Sequence, residues 1–134
     1  MNTNRGMLMA ALGFVAVCGS FTQSSAQAPL FKRTVLQRGD LAAAGREAVM
    51  ALAEFSAGGA TGRHTHPGEE VSYVLEGEMR LDVDGKPPLM LKAGDAFMVE
   101  AGKVHAATNT GPSVAKVLGT YIVLKGAPLS APAQ

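Results

Sequence analysis

The chain has 134 residues, room for one domain and not for two. Twelve Lys+Arg against eleven Asp+Glu give a formal charge of +1, and the charges are interspersed, which argues against nucleic acid or an anionic membrane surface as a partner. The single cysteine, Cys18, excludes an intrachain disulfide, so the fold must be held by its core or by a metal, and 5% aromatics with no Trp leave no stacking platform.

In chain order, Met1 to Gly6 carry one positive charge, Arg5, and an apolar run follows from Met7 to Val17. The run has the length of a signal-peptide core and is short for a membrane span. Small and polar residues follow it, with Ala26-Gln27-Ala28 and Ser24-Ser25-Ala26 as alternative cleavage sequences. Pro29 would hinder cutting after Ala28, so residues 1–26 are read as the signal peptide and Gln27 as the first mature residue. This predicts an exported protein, periplasmic or secreted, with no stable membrane insertion after cleavage. Val15-Ala16-Val17-Cys18 resembles a lipobox only loosely, because Val17 is too large for its position.

Beyond residue 30 no window carries a sustained helical period. Apolar runs alternate with Gly and Pro clusters, which reads as short strands. They are expected at Lys32–Leu36, Glu47–Phe55, Arg63–His66, Glu70–Leu75, Met79–Val83, Leu89–Leu91, Ala96–Val99, His105–Asn109 and Ala115–Val123. Leu41–Ala44 reads as a helical turn with Asp40 as its N-cap. Asp84-Gly85 is a hairpin signal. Gly77, Gly94 and Gly102 read as turn residues that need unusual backbone angles. So many short strands predict an all-β sandwich or barrel over residues 27–126, followed by an extended or flexible tail, 127–134.

The chemistry concentrates in the three histidines. His64 and His66 are two apart, which on a strand puts both rings on one face. Glu70 follows across the Pro67-Gly68 turn, from where its carboxylate can point back to the same centre, and His105 lies on a later strand past the Ala101-Gly102 corner. Three imidazoles and a carboxylate suit a divalent transition metal (Mn, Fe, Co, Ni, Cu or Zn) better than Ca or Mg. They would leave positions open for a substrate.

Gly58-x5-His64-x-His66-x3-Glu70-x6-Gly77 resembles the first motif of the cupin family at every fixed position. The stretch from Gly94 through Glu100-Ala101-Gly102 to His105 and Asn109 resembles the second, with Glu100 where the family usually has Pro. The resemblance runs from about Leu36 to Val123. It implies a jelly-roll β-barrel, a metal held by His64, His66, Glu70 and His105, and a homodimer. The six-residue spacing to Gly77 selects Glu70 over Glu69, which becomes a solvated neighbour. Glu100 would leave an uncovered carboxylate near the rim of the site.

Around this centre, Ser72 shares a face with Glu70 and could orient it through a hydrogen bond. Arg63 should face away into a salt bridge. Tyr73, Met90, Phe97, Met98 and Tyr121 could line a pocket, although apolar strand residues are more often core. The resemblance implies a metal-dependent dioxygenase or related oxidoreductase on a small organic substrate, in which Glu70 would also shuttle a proton. Two alternatives stand beside it: a non-catalytic module that binds a small ligand, and a barrel whose metal is purely structural.

Overall fold

A computed structural model describes residues 30–134, so the leader and Cys18 lie outside the described residues. It contains ten strands: β1 (Phe31–Asp40), β2 (Arg46–Phe55), β3 (His64–Thr65), β4 (Gly68–Glu76), β5 (Glu78–Val83), β6 (Leu89–Lys92), β7 (Ala96–Val99), β8 (His105–Asn109), β9 (Ala115–Leu124) and β10 (Ala131–Pro132). They form two five-stranded sheets, ordered β1-β2-β9-β4-β7 and β10-β3-β8-β5-β6. All strand pairings are antiparallel. Among the described residues no helix is long and apolar enough to cross a membrane.

The sheets stack because each long strand alternates. On β2, Val49, Ala51, Ala53 and Phe55 are buried while the residues between them are not. On β9, Ala115, Val117, Tyr121 and Val123 do the same. One core cluster joins Phe55, Val74, Val99 and Val117 of the first sheet to Met79, Leu81, Val83 and Leu91 of the second, so the sheets pack face to face as a jelly roll. Full burial of a side chain such as Phe55 or Met79 contributes about 1.5–3 kcal/mol. Without a disulfide, this core and its ladders hold the described fold.

Two glycines set the spacing near the site. A Cβ on Gly68 would fall 1.9 Å from the Ile122 carbonyl oxygen, so only glycine lets β4 begin this close to β9. Gly77, at φ 82°, turns the chain between β4 and β5, and a Cβ there would meet Ala115 at 2.8 Å. Gly94 and Gly102 also take positive φ, as read from the sequence.

Three expectations are corrected. The first strand runs on to Asp40, past a bulge between Val35 and Gln37, because β2 supplies a partner along its whole length. Leu41–Ala44 is therefore no helix: it closes the β1–β2 hairpin, with the Leu41 N–H donating to the Arg46 carbonyl at 3.1 Å. Asp40 caps nothing there and instead pairs with Lys125. The tail is not a free arm. Ala131 and Pro132 pair with Thr65 and His64 as β10, and the Ala133 N–H donates to the Arg63 carbonyl at 3.0 Å.

Candidate metal centre

His64, His66 and His105 are all buried, and their ligand atoms lie within 4.8 Å of one another. The topology explains the meeting. His64 on β3 stands directly opposite His105 on β8, and their ring centroids are 4.2 Å apart. His66 sits just past the end of β3, in the link to β4, rather than inside a longer strand as the sequence suggested. Glu70 comes from the other sheet, on β4, opposite Tyr121 of β9. The cluster therefore lies at one end of the barrel, where both sheets contribute.

Each imidazole is oriented by its other nitrogen. His64 Nδ1 lies 3.0 Å from the Gly62 carbonyl oxygen, His105 Nδ1 2.9 Å from that of Lys103, and His66 Nδ1 2.6 Å from that of Leu129. A carbonyl only accepts, so each Nδ1 carries a proton, and in the neutral form of each ring Nε2 presents a lone pair. These lone pairs converge: His64 Nε2 and His66 Nε2 are 3.2 Å apart. Glu70 Oε2 lies 3.1 Å from His66 Nε2 and 3.3 Å from His105 Nε2. Acceptors packed this closely repel unless a positive charge sits among them.

The electrostatics agree. Burial pushes the His64 ring down to about 4, helped by the neighbouring His105 and His66 and only partly offset by its Gly62 hydrogen bond, so the ring is neutral at pH 7. Burial alone would raise the Glu70 carboxyl, but His105, His66 and the Ser72 hydroxyl beside it outweigh burial and hold the group well below the usual carboxylate range. Ser72 donates to Glu70 Oε1 at 2.6 Å, as its place on the strand suggested. A neutral His64 ring beside an ionised Glu70 carboxylate suits metal binding, which requires deprotonated ligand atoms.

Distances provide a second test of fit. Metal–nitrogen bonds of about 2.0–2.1 Å place neighbouring ligand atoms roughly 2.8–3.0 Å apart in octahedral and roughly 3.3–3.4 Å apart in tetrahedral geometry. The 3.2 Å separation of the His64 and His66 nitrogens lies between these two values. The three histidines could thus hold one metal ion.

The surroundings sort the remaining candidates. Glu69 faces away from the cluster, 3.5 Å from Arg46. Arg63 holds Asp84 through two bonds of 2.9 and 2.8 Å, the salt bridge expected. Glu100 is exposed and paired with Lys86 at 2.6 Å, so its carboxylate is not left uncovered. Phe97 and Tyr121 line the cavity beside His64, Glu70 and His105, whereas Tyr73, Met90 and Met98 point to solvent. The sequence reading missed Arg33 and Thr61, which also line the cavity. Nothing in the local pattern around Arg33 marks it, because it comes from the far side of the first sheet.

A family model described as Cupin domain matches residues 51–126. Among curated relatives, the chain is 31% identical over 77 residues to the HTH-type transcriptional regulator PuuR of Escherichia coli, covering 57% of this chain and 41% of the regulator. It is 39% identical over 56 residues to dimethylsulfoniopropionate lyase DddQ of Ruegeria pomeroyi, covering 41% of this chain and 28% of the lyase. The chain thus spans less than half the length of these curated relatives. The crystal structure of DddQ superposes with a TM-score of 0.58 at 26% identity, covering 64% of this chain and 43% of the lyase. A cupin superfamily protein of Desulfitobacterium hafniense superposes with a TM-score of 0.61 at 22% identity, covering 74% and 83% of the two chains, which supports the fold alone.

Proposed function

The chain belongs to the cupin family, and from that premise we propose that it is a metal-dependent enzyme acting on a small organic substrate. One divalent transition metal would be held by Nε2 of His64, His66 and His105 and by the Glu70 carboxylate. The observation that carries this reading is the convergence of these acceptors at 3.1–3.3 Å with every Nδ1 already committed to a backbone carbonyl. When bound, the metal supplies a Lewis acid with open positions, suited to polarising a substrate oxygen or activating dioxygen. The chain's own residues do the rest. The carbonyls fix the imidazole tautomers, Ser72 orients Glu70, and Phe97 with its apolar neighbours restricts water around the reacting group. Glu70 would be the group to take and return a proton. A dioxygenase or related oxidoreductase is the reaction class we favour; the likeness to a lyase makes elimination the chemistry to screen beside it.

Metal analysis tests the reading first. The protein should carry about one transition metal per chain, lost in His64→Ala and in His105→Ala, and the loaded protein should turn over a small organic substrate. No metal after reconstitution with Mn, Fe, Co, Ni, Cu and Zn salts would overturn it.

The likeness to a transcriptional regulator favours one second reading, a module that binds a small ligand without converting it. Saturable binding without product, across substrates screened with the loaded protein, would favour that module. Export rests on the leader sequence, and mature protein should begin at Gln27. A homodimer rests on the apolar side chains Val71, Tyr73 and Met98, each exposed on the outer face of β4 and β7.

A further inference from the structure

Arg33 is half-buried on β1, on the face it shares with its buried partner Ala53 of β2. Its guanidinium carbon lies 5.5 Å from the Phe31 ring centroid and 5.4 Å from that of Tyr121. Tyr121 in turn packs on His66, with ring centroids 4.7 Å apart, so the cation is one ring away from a histidine of the cluster. Arg33 lines the same cavity as His64, Glu70 and His105. Its Nη1 donates to the Ser130 hydroxyl at 3.3 Å. Its Nε is buried and finds no hydrogen-bond partner among the described residues.

An Arg so placed is an anomaly for a structural side chain. The other arginines with charged partners, at positions 38, 46, 63 and 80, all reach a carboxylate. Arg33 is held between two aromatic faces and a neutral hydroxyl, none of which neutralises it, and a buried N–H without an acceptor is costly. The guanidinium fork matches a carboxylate in plane and in spacing, through two parallel hydrogen bonds. The rest of the cavity wall selects the body of the molecule. Ala53, Phe55, Leu81, Phe97 and Val117 offer no polar group to it.

We propose that Arg33 is the substrate-anchoring residue of this cavity and that the substrate is a small organic carboxylate with a short apolar body, its carboxylate on Arg33 and its apolar part between the two sheets. This deepens the reading above and rests on it for the identity of the cavity as the substrate site. An amide of the same shape would leave the guanidinium unneutralised. Phosphate would match the charge but not the apolar wall.

Titration of the zinc-loaded chain with carbon-13-labelled propanoate, propanamide and inorganic phosphate, followed by NMR, tests the assignment. Propanoate should bind saturably, and propanamide and phosphate at least tenfold more weakly. Arg33→Gln should weaken propanoate about tenfold or more, with metal content still about one per chain. Arg33→Lys keeps the charge but loses the fork, and should weaken it several-fold; it carries the test alone if the Gln variant does not fold. Equal propanoate affinity in the variants, no saturation of the parent chain, or tighter binding of phosphate would each overturn the proposal. If the chain takes up no zinc, the metal reading has failed, and the same comparison on the metal-free protein still decides the role of Arg33.

Discussion

His64 and His105 are held in one way and His66 in another. The first two bond to carbonyls two residues back in their own turns, Gly62 and Lys103. His66 bonds to Leu129, sixty-three positions along the chain. Locally anchored rings are set as soon as their turn forms. The third waits for the C-terminal segment to dock, so the centre joins a rigid half to a half that depends on tertiary closure. The same segment supplies β10 beside His64 and the Ser130 hydroxyl to Arg33. One short stretch thus touches a metal-site residue and the cation across the cavity.

Removing Leu129–Gln134 should have the largest effect on this asymmetry. Loss of the partner that orients a metal-binding His costs roughly 10–100-fold in metal affinity, and competition with a chelator would measure it. An unchanged affinity would mean that water replaces the Leu129 carbonyl, and the contrast between the two halves would disappear.

Acidification probes the local half. His64 has a folded-state value near 4, below its ordinary 6.5, so between these limits the unfolded chain binds more protons. The stability contributed by keeping this ring neutral is present above about pH 6.5 and is lost as the pH falls towards 4. Melting temperatures of the metal-free protein should fall through that window. In His64→Gln that part of the fall should vanish, and a fall of the same size in the variant would place the titrating group elsewhere.

The smallest effect is expected from Gly62→Ala. Gly62 has φ 71° and open space around its missing Cβ, so the penalty is backbone strain alone, about 1–2 kcal/mol of stability. Metal affinity should fall by less than tenfold, because the turn is also tied down by the Thr61 N–H, which donates to the Ala107 carbonyl at 3.0 Å. Chemical denaturation and the same chelator competition would report both. A loss as large as that of the truncated chain would show that local anchoring is no firmer than remote anchoring.

Much of this was legible in the sequence because it is written in short-range patterns. Period-two alternation marked β2 and β9, Gly and Pro marked the corners, and the spacings around His64, His66, Glu70 and His105 marked the centre. Orientation within a strand followed too, since neighbours must face opposite ways: Glu69 outward, Glu70 and Ser72 inward, Arg63 away to Asp84. What the tertiary structure alone decided is long-range pairing. The β1 strand reached Asp40 because β2 was there to meet it, and Leu41–Ala44 became a hairpin loop for the same reason. The tail became a strand because β3 had an open edge. Arg33 entered the cavity because sheet order placed β1 at one edge of the first sheet, where its inward face reaches Tyr121. Residues near in sequence constrain one another through a few backbone angles, whereas residues far apart meet only when the packing of the whole core brings their strands together.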